Sequence, residues 1–211
     1  MCKICFIALG CVKGSQMSKP GWSGKRPDNE ADAETRICQA AFECFQRLGV
    51  DKTTMSDIAK AAGITRPTLY KYFKNKTDVL FTAIDREAFG FAESVVAHAR
   101  QFRTLEERII ETILYVVAEF PKTPNLSLVL GDEMGEALRA RAFSDEATVI
   151  FSQMTAEPLI EIRPDLAEQG VEITEIMSRF AISMILFPGR YSTDPNGLRQ
   201  LITKRLLPGL T

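Results

Sequence analysis

One histidine and one tryptophan stand in 211 residues, and the motifs that commonly carry catalysis are missing. There is no H-E-x-x-H, no G-x-S-x-G, no phosphate-binding P-loop and no G-x-G-x-x-G. With His98 as the sole histidine, little acid–base machinery remains, and an enzyme is not expected. Cysteine is few and odd in number: Cys2, Cys5, Cys11, Cys38 and Cys44. Two of these fall inside a helical pattern, so a disulfide framework is excluded and a reducing cytoplasm fits. Cys2-x-x-Cys5 with Cys11 lacks a second pair and a nearby histidine, so neither a metal nor another cofactor is expected. No segment reaches the roughly 18 unbroken apolar residues that a membrane span needs. There is also no alternating strand pattern and no internal repeat.

What is present suits a soluble helical protein. Apolar residues make up 45% of the chain and charged residues 25%, enough for a sizeable core under an ordinary surface. The net charge of −1 hides an uneven distribution. Between Arg47 and Lys76 seven basic side chains face two acidic ones, a net of +5. From Val79 to the end, 13 basic oppose 19 acidic side chains, a net of −6. A basic head on an acidic body points to a polyanion at one end.

The first 29 residues read as a tail. Ile4 to Val12 is a short apolar run behind a single lysine, with Leu9-Gly10-Cys11 resembling a lipoprotein cleavage site. The basic region is minimal and the run short, so Met17 is read as the start and residues 1–16 as an extension. The stretch that follows, to Asn29, has a disorder composition.

Ile37, Ala40, Ala41, Cys44, Phe45 and Leu48 form one helical stripe, closed by Gly49. This first helix is expected from about Ala31 to Leu48. Thr54 and Asp57 make a capping box for a second helix carrying Met55, Ile58, Ala59 and Ala62, which ends at Gly63. Thr65 caps a third helix, with Pro67 in its first turn, and Asn75 caps a fourth. Two short helices around Ala62-Gly63-Ile64 form a helix-turn-helix, in which Gly63 takes the strained turn position. With Leu69 and Phe73 inward, Arg66, Thr68, Lys71 and Tyr72 are expected outward. That face suits the major groove, arginine reading guanine while hydroxyls and lysine hold phosphates.

The run from Thr53 to Lys76 carries T-x-x-x-I-A-x-x-A-G, then T-L-Y, then F-x-N-K ahead of a leucine. It closely resembles the signature of the TetR family of transcriptional regulators, densely over residues 34–80. The resemblance implies an all-α fold of about nine helices: a DNA-binding head at residues 30–76 and a ligand-binding, dimerising body at 77–211. It implies that Thr53 and Thr54 touch phosphates. It implies that Thr65 is among the DNA-binding residues, and that Arg66, Pro67, Thr68, Lys71 and Tyr72 meet bases or their sugars. Lys76 would bind phosphate. The Tyr70 hydroxyl would do the same, or its ring would pack beneath the first helix. Met55 departs from the pattern, standing where relatives often carry arginine or another polar residue, so the second helix is expected to read little sequence.

The body reads as helices. The fourth reaches about Arg100 and the fifth spans Leu105–Phe120. The sixth runs from Pro124-Asn125 to about Arg141. The seventh covers Asp145–Glu161, shortened or kinked at Pro158, the eighth Glu172–Phe187, and the ninth Pro195–Leu207. The eighth is apolar nearly all round and needs cover on two sides. Ile173, Ile176, Met177, Phe180, Met184 and Phe187, with Leu198, Leu201 and Ile202 of the ninth, are expected at a two-fold interface. Phe89, Phe102, Tyr115, Phe120, Met134, Phe151, Met154 and Phe180 are candidates for a ligand pocket or for plain core. Asp132, Glu133 and Glu136 would orient a cationic ligand or lie on a solvated face. The expected partners are a palindromic double-stranded operator, a small-molecule effector and a second copy of the chain, with no membrane.

Overall fold

The computed structural model describes residues 27–123, 126–130, 140 and 143–210, and every regular element among them is helical. Helices α1 (Glu30–Leu48), α2 (Met55–Ala61) and α3 (Arg66–Tyr72) form the head. Helix α4 (Lys76–Ala99) leads into the body, made of α5 (Leu105–Glu119), α6 (Asp145–Thr155), α7 (Glu157–Ile162), α8 (Gly170–Leu186) and α9 (Pro195–Leu201).

Helix starts follow side-chain chemistry. The Asn29, Thr65 and Asn75 side chains accept from the backbone N–H groups of Asp32, Thr68 and Asp78. Thr54 with Asp57, and Thr104 with Glu107, close reciprocal capping boxes. Gly49 and Gly63 hold φ at 81° and 66°, a region in which a side chain would strain the backbone. Each lets the chain turn sharply out of a helix and into the next element.

Three expected elements differ. The helix over 145–161 is two: α6 ends at Thr155 and α7 starts at Glu157. Pro158 has no N–H for the Met154 carbonyl and its ring crowds that turn. The expected sixth helix opens as a short 3₁₀ segment, Leu126–Leu130, and residues 131–139, 141 and 142 lie outside the described residues. The ninth keeps α geometry only to Leu201 and then widens into a π turn, Ile202–Leu206, in which Leu207 N–H reaches the Ile202 carbonyl. Pro208 cannot donate to Lys204, so the regular ladder could not have continued.

Helix α4 joins the two halves. It packs on α1 in the head and on α5 and α6 in the body. Phe45, Ile37, Ile58, Leu69, Val79 and Leu80 are fully buried around the head, and Ile109, Ile113, Leu159, Leu198 and Ile202 in the body. Between α6 and α8 runs a seam of satisfied hydroxyls: Ser152 donates to the Thr148 carbonyl (2.8 Å) and Thr174 to the Ser152 carbonyl (3.0 Å). Burial pushes the Cys38 thiol up to about 12, so it is a packing residue rather than a nucleophile.

Candidate nucleic-acid interface and ligand cavity

Seven residues is too short for a helix to hold itself in water, so α3 depends on its ends and its buried side. Thr65 caps it, Pro67 sits in its first turn, and Leu69 is fully buried beneath it. Thr65, Arg66, Pro67, Tyr70 and Lys71 stand exposed. Arg66 is pre-arranged: its Nη2 donates to the Tyr70 hydroxyl (3.3 Å), and its Cζ lies 5.5 Å from the centre of that ring. Tyr70 is 44% exposed, so its ring does not pack beneath α1.

Four expected DNA-contacting residues are placed otherwise. Thr53 is only 2% exposed, and its hydroxyl bonds the carbonyls of Gly49 (2.7 Å) and Cys44 (3.2 Å). It fastens the α1–α2 loop and offers nothing to a phosphate. Thr68 is buried against the Thr65 hydroxyl (2.8 Å), because residue 68 shares the inward side of α3 with Leu69. Tyr72 is half-buried against the core. Lys76 donates to the Val50 (2.6 Å) and Asp51 (3.0 Å) carbonyls, pinning the start of α4 to the loop after α1, with one N–H left over. Thr54 is exposed, but its proton goes to Asp57 (2.6 Å), and that bond holds the Asp57 carboxyl below its ordinary range. Met55 is buried and does not face a groove. Lys60 and Lys74 are two exposed cations of the head outside the expected set; their charge was the available signal.

In the body an apolar cavity of about 180 Å³ lies among α4, α5, α6 and α8. Of the expected lining, Phe120 and Phe151 form its wall, joined by Ile84, Phe91, Val129 and Ile182. Phe89 is 45% exposed and points away, since the inward face of α4 passes through Ala88, Phe91 and Ala92. Phe102 packs against His98 (5.3 Å), and Tyr115 stacks on His98 (4.2 Å) and borders a separate cleft. Met154 and Phe180 are half-buried off the cavity wall, and Met134, like Asp132, Glu133 and Glu136, lies outside the described residues.

The expected interface splits in two. Ile173, Met177, Leu198 and Ile202 are buried inside their own protomer, so they belong to the core and cannot meet a partner. Ile176 and Phe187 are exposed, Phe187 by 76%, and Phe180, Met184 and Leu201 are half-buried. Ile176, Phe180, Ser183 and Phe187 follow helical spacing along a stripe of α8 beside that of Ile173, Met177 and Ala181. Among the described residues, no helix is long and apolar enough to cross a membrane.

Residues 37–83 match the family described as bacterial regulatory proteins, tetR family. The uncharacterized HTH-type regulator YhgD of Bacillus subtilis is 31% identical over 108 residues, which is half of this chain and 54% of that protein. A second such regulator, Rv1255c of Mycobacterium tuberculosis, is 25% identical across 92% of this chain and 93% of its own length. Among solved structures, the TetR family repressor AlkX from Dietzia superposes with a TM-score of 0.64 at 22% identity, over 84% of this chain and 94% of that one. A capped, exposed helix thus stands in a head whose residues 37–83 match the tetR family of bacterial regulatory proteins, on a chain that shares the fold of AlkX.

Proposed function

We propose that the chain is a ligand-responsive repressor that binds a palindromic operator as a homodimer in the cytoplasm. One observation carries the reading: Arg66, Pro67, Tyr70 and Lys71 form a basic, exposed row on a helix that caps and core hold in place. Arg66 is the residue for a guanine edge, with Tyr70 beneath it setting its direction; Lys71, Lys74 and Lys60 supply the phosphate contacts. Two such heads about 34–36 Å apart meet successive major grooves. The exposed side of α8, with Ile176 and Phe187, is the surface for the second copy. AlkX is a repressor, which supports that sense of regulation here by fold analogy.

Coupling runs through α4. Its first residue is pinned to the α1–α2 loop, and its middle forms one wall of the cavity. A ligand that prefers a wider cavity shifts α4 and changes the spacing of the heads, by as much as its affinity differs between the two shapes.

The test is a gel shift of the purified chain on its own upstream DNA at physiological salt. Specific retardation is expected. Arg66→Ala should cost about 1–3 kcal/mol of specific affinity and relax one base position. Lys74→Ala should weaken every sequence alike and flatten the salt dependence. Equal binding to random and upstream DNA, or wild-type behaviour of both variants, defeats the proposal.

A further inference from the structure

Helix α4 is fastened at both ends and loose between them. Its opening turns belong to the head. Lys76 donates to the Val50 and Asp51 carbonyls beyond one end of α1, and Arg86 donates to Thr35 (2.6 Å) and Glu34 (3.0 Å) near the other. Val79, Leu80, Ala83 and Ile84 are buried along this stretch. The closing turns belong to the body. Phe91, Ala92, Val95 and Ala99 are buried there, and Arg100 at the end pairs with Glu161 (2.7 Å) and Glu157 (2.9 Å) of α7. Glu161 also takes Arg108 of α5 (3.2 Å), so the far end of α4 is tied to two body helices.

Between the two buried stretches, no residue from Asp85 to Gly90 is buried. A packed helix normally turns a side chain inward every three or four residues. Space borders this turn on two of its sides: the apolar cavity at Ile84, Ala88 and Phe91, and an open cleft of about 380 Å³ at Glu87, Gly90 and Ser94. The glycine answers no packing demand. Gly90 has ordinary helical backbone, without the positive φ of Gly49 and Gly63. A Cβ at residue 90 would meet nothing within 4 Å. Alanine would therefore fit and would steady the helix, since glycine in mid-helix leaves the backbone freer than any other residue. One turn on, Ser94 gives its hydroxyl proton to the Phe91 carbonyl (2.6 Å), a bond that competes with the backbone ladder.

We infer that α4 bends at the turn around Gly90 and, resting on the ligand-responsive reading, that this joint passes a change in the cavity to the heads. The head and residues 76–86 travel as one piece, because α1 is clasped near both its ends. Phe81 and Ile84 of that piece line the cavity. A ligand pressing on them turns the head about Gly90, while Arg100 keeps the rest of α4 with the body. The helix acts as two rods sharing a joint, not as a single rod that tilts whole.

Hydrogen exchange on the full chain without DNA reads the joint. The amides of residues 90–94 should exchange faster than those of 79–86 and 95–99. Gly90→Ala should slow the 90–94 amides about two- to fivefold, the glycine–alanine difference in a helix, and leave the flanking amides unchanged. Even exchange along α4 in the wild type, or slowing spread over the whole helix, overturns the inference. Gel shifts read what the joint does. With one base pair inserted at the centre of the upstream site, Gly90→Ala should lose about two- to fivefold more affinity than wild type, because stiffer heads adjust less to altered spacing. Moving the glycine, as Gly90→Ala with Ala97→Gly, keeps the composition of α4 and should restore none of that tolerance, since the exposed Ala97 lies past the joint on the body side. Equal losses in wild type and Gly90→Ala, or tolerance regained with the moved glycine, also overturn it. Because exchange is read without DNA, the expected exchange pattern with no gel shift supports the joint and defeats only operator binding.

Discussion

The head and the body are both helical, yet they are held together by different means. In the head, α2 and α3 have seven residues each and are fixed by a cap at one end, a turn at the other and a few fully buried side chains. In the body, α5 and α8 run for 15 and 17 residues and are fixed by their broad apolar faces. α8 has no side-chain cap at its start, and the α7 start has none either. Short elements with strong local signals make a rigid reading surface. Longer elements that meet through broad apolar faces leave room for a cavity between them, and a cavity can respond to a ligand.

Core substitutions test that contrast most severely. Phe45→Ala in the head should cost about 3–5 kcal/mol, and Ile202→Ala in the body about 2–5 kcal/mol, read as loss of melting temperature by circular dichroism. The Ile202 loss should not vary with protein concentration, since that side chain is wholly inside its protomer. A concentration-dependent loss would return Ile202 to an interface. Phe187→Ser is the counterpart on the exposed side of α8. It should leave protomer stability within about 0.5 kcal/mol of wild type and weaken self-association in sedimentation; an unchanged dimer would remove this face from the assembly.

Thr53 and Thr54 sharpen the comparison within the head. Thr54→Ala removes a cap and should cost about 1 kcal/mol of stability. Thr53→Val removes a hydroxyl whose single proton lies between two carbonyls, and should cost a similar amount, about 1 kcal/mol, without changing the salt dependence of DNA binding. A flatter salt slope in Thr53→Val would show a phosphate contact that the buried hydroxyl argues against.

The smallest effect is acid sensitivity. Asp57 in the head and Glu107 in the body are both held below the ordinary carboxylate range, chiefly by bonds from their capping partners Thr54 and Thr104. A lowered folded value means that the contribution is complete above the ordinary range and is lost as pH falls through the folded value. Melting temperature should therefore decline below about pH 4.5, and Glu107→Gln should blunt the decline. Both groups lie in water, so the change is slight.

Much of the head was legible because its signals are local. Gly49, Gly63, Thr54, Thr65 and Asn75 each act within about four residues of where they stand, so spacing along the chain is enough to read them. The errors came where distance in the chain and distance in space part company. Lys76 finds its acceptors 25 and 26 residues away. Thr68 is inward because the α2–α3 packing turns that side of a short helix toward the core. Phe89 and Phe91 are both apolar and two residues apart, and only the placement of α5 and α6 decides which is buried. Tyr115 does line a recess, but the open cleft beside His98 rather than the apolar cavity that holds Phe120 and Phe151.

Residue order alone determined that the chain is helical, where most helices begin, and which segment carries a basic reading surface, because periodicity, caps and charge are properties of neighbours. Only the tertiary structure decided which apolar stripe of α8 is core and which is left exposed. Both stripes are hydrophobic enough to be buried. Which of them is covered depends on the shape of the neighbouring helices, and that shape is set by contacts between residues far apart in the chain.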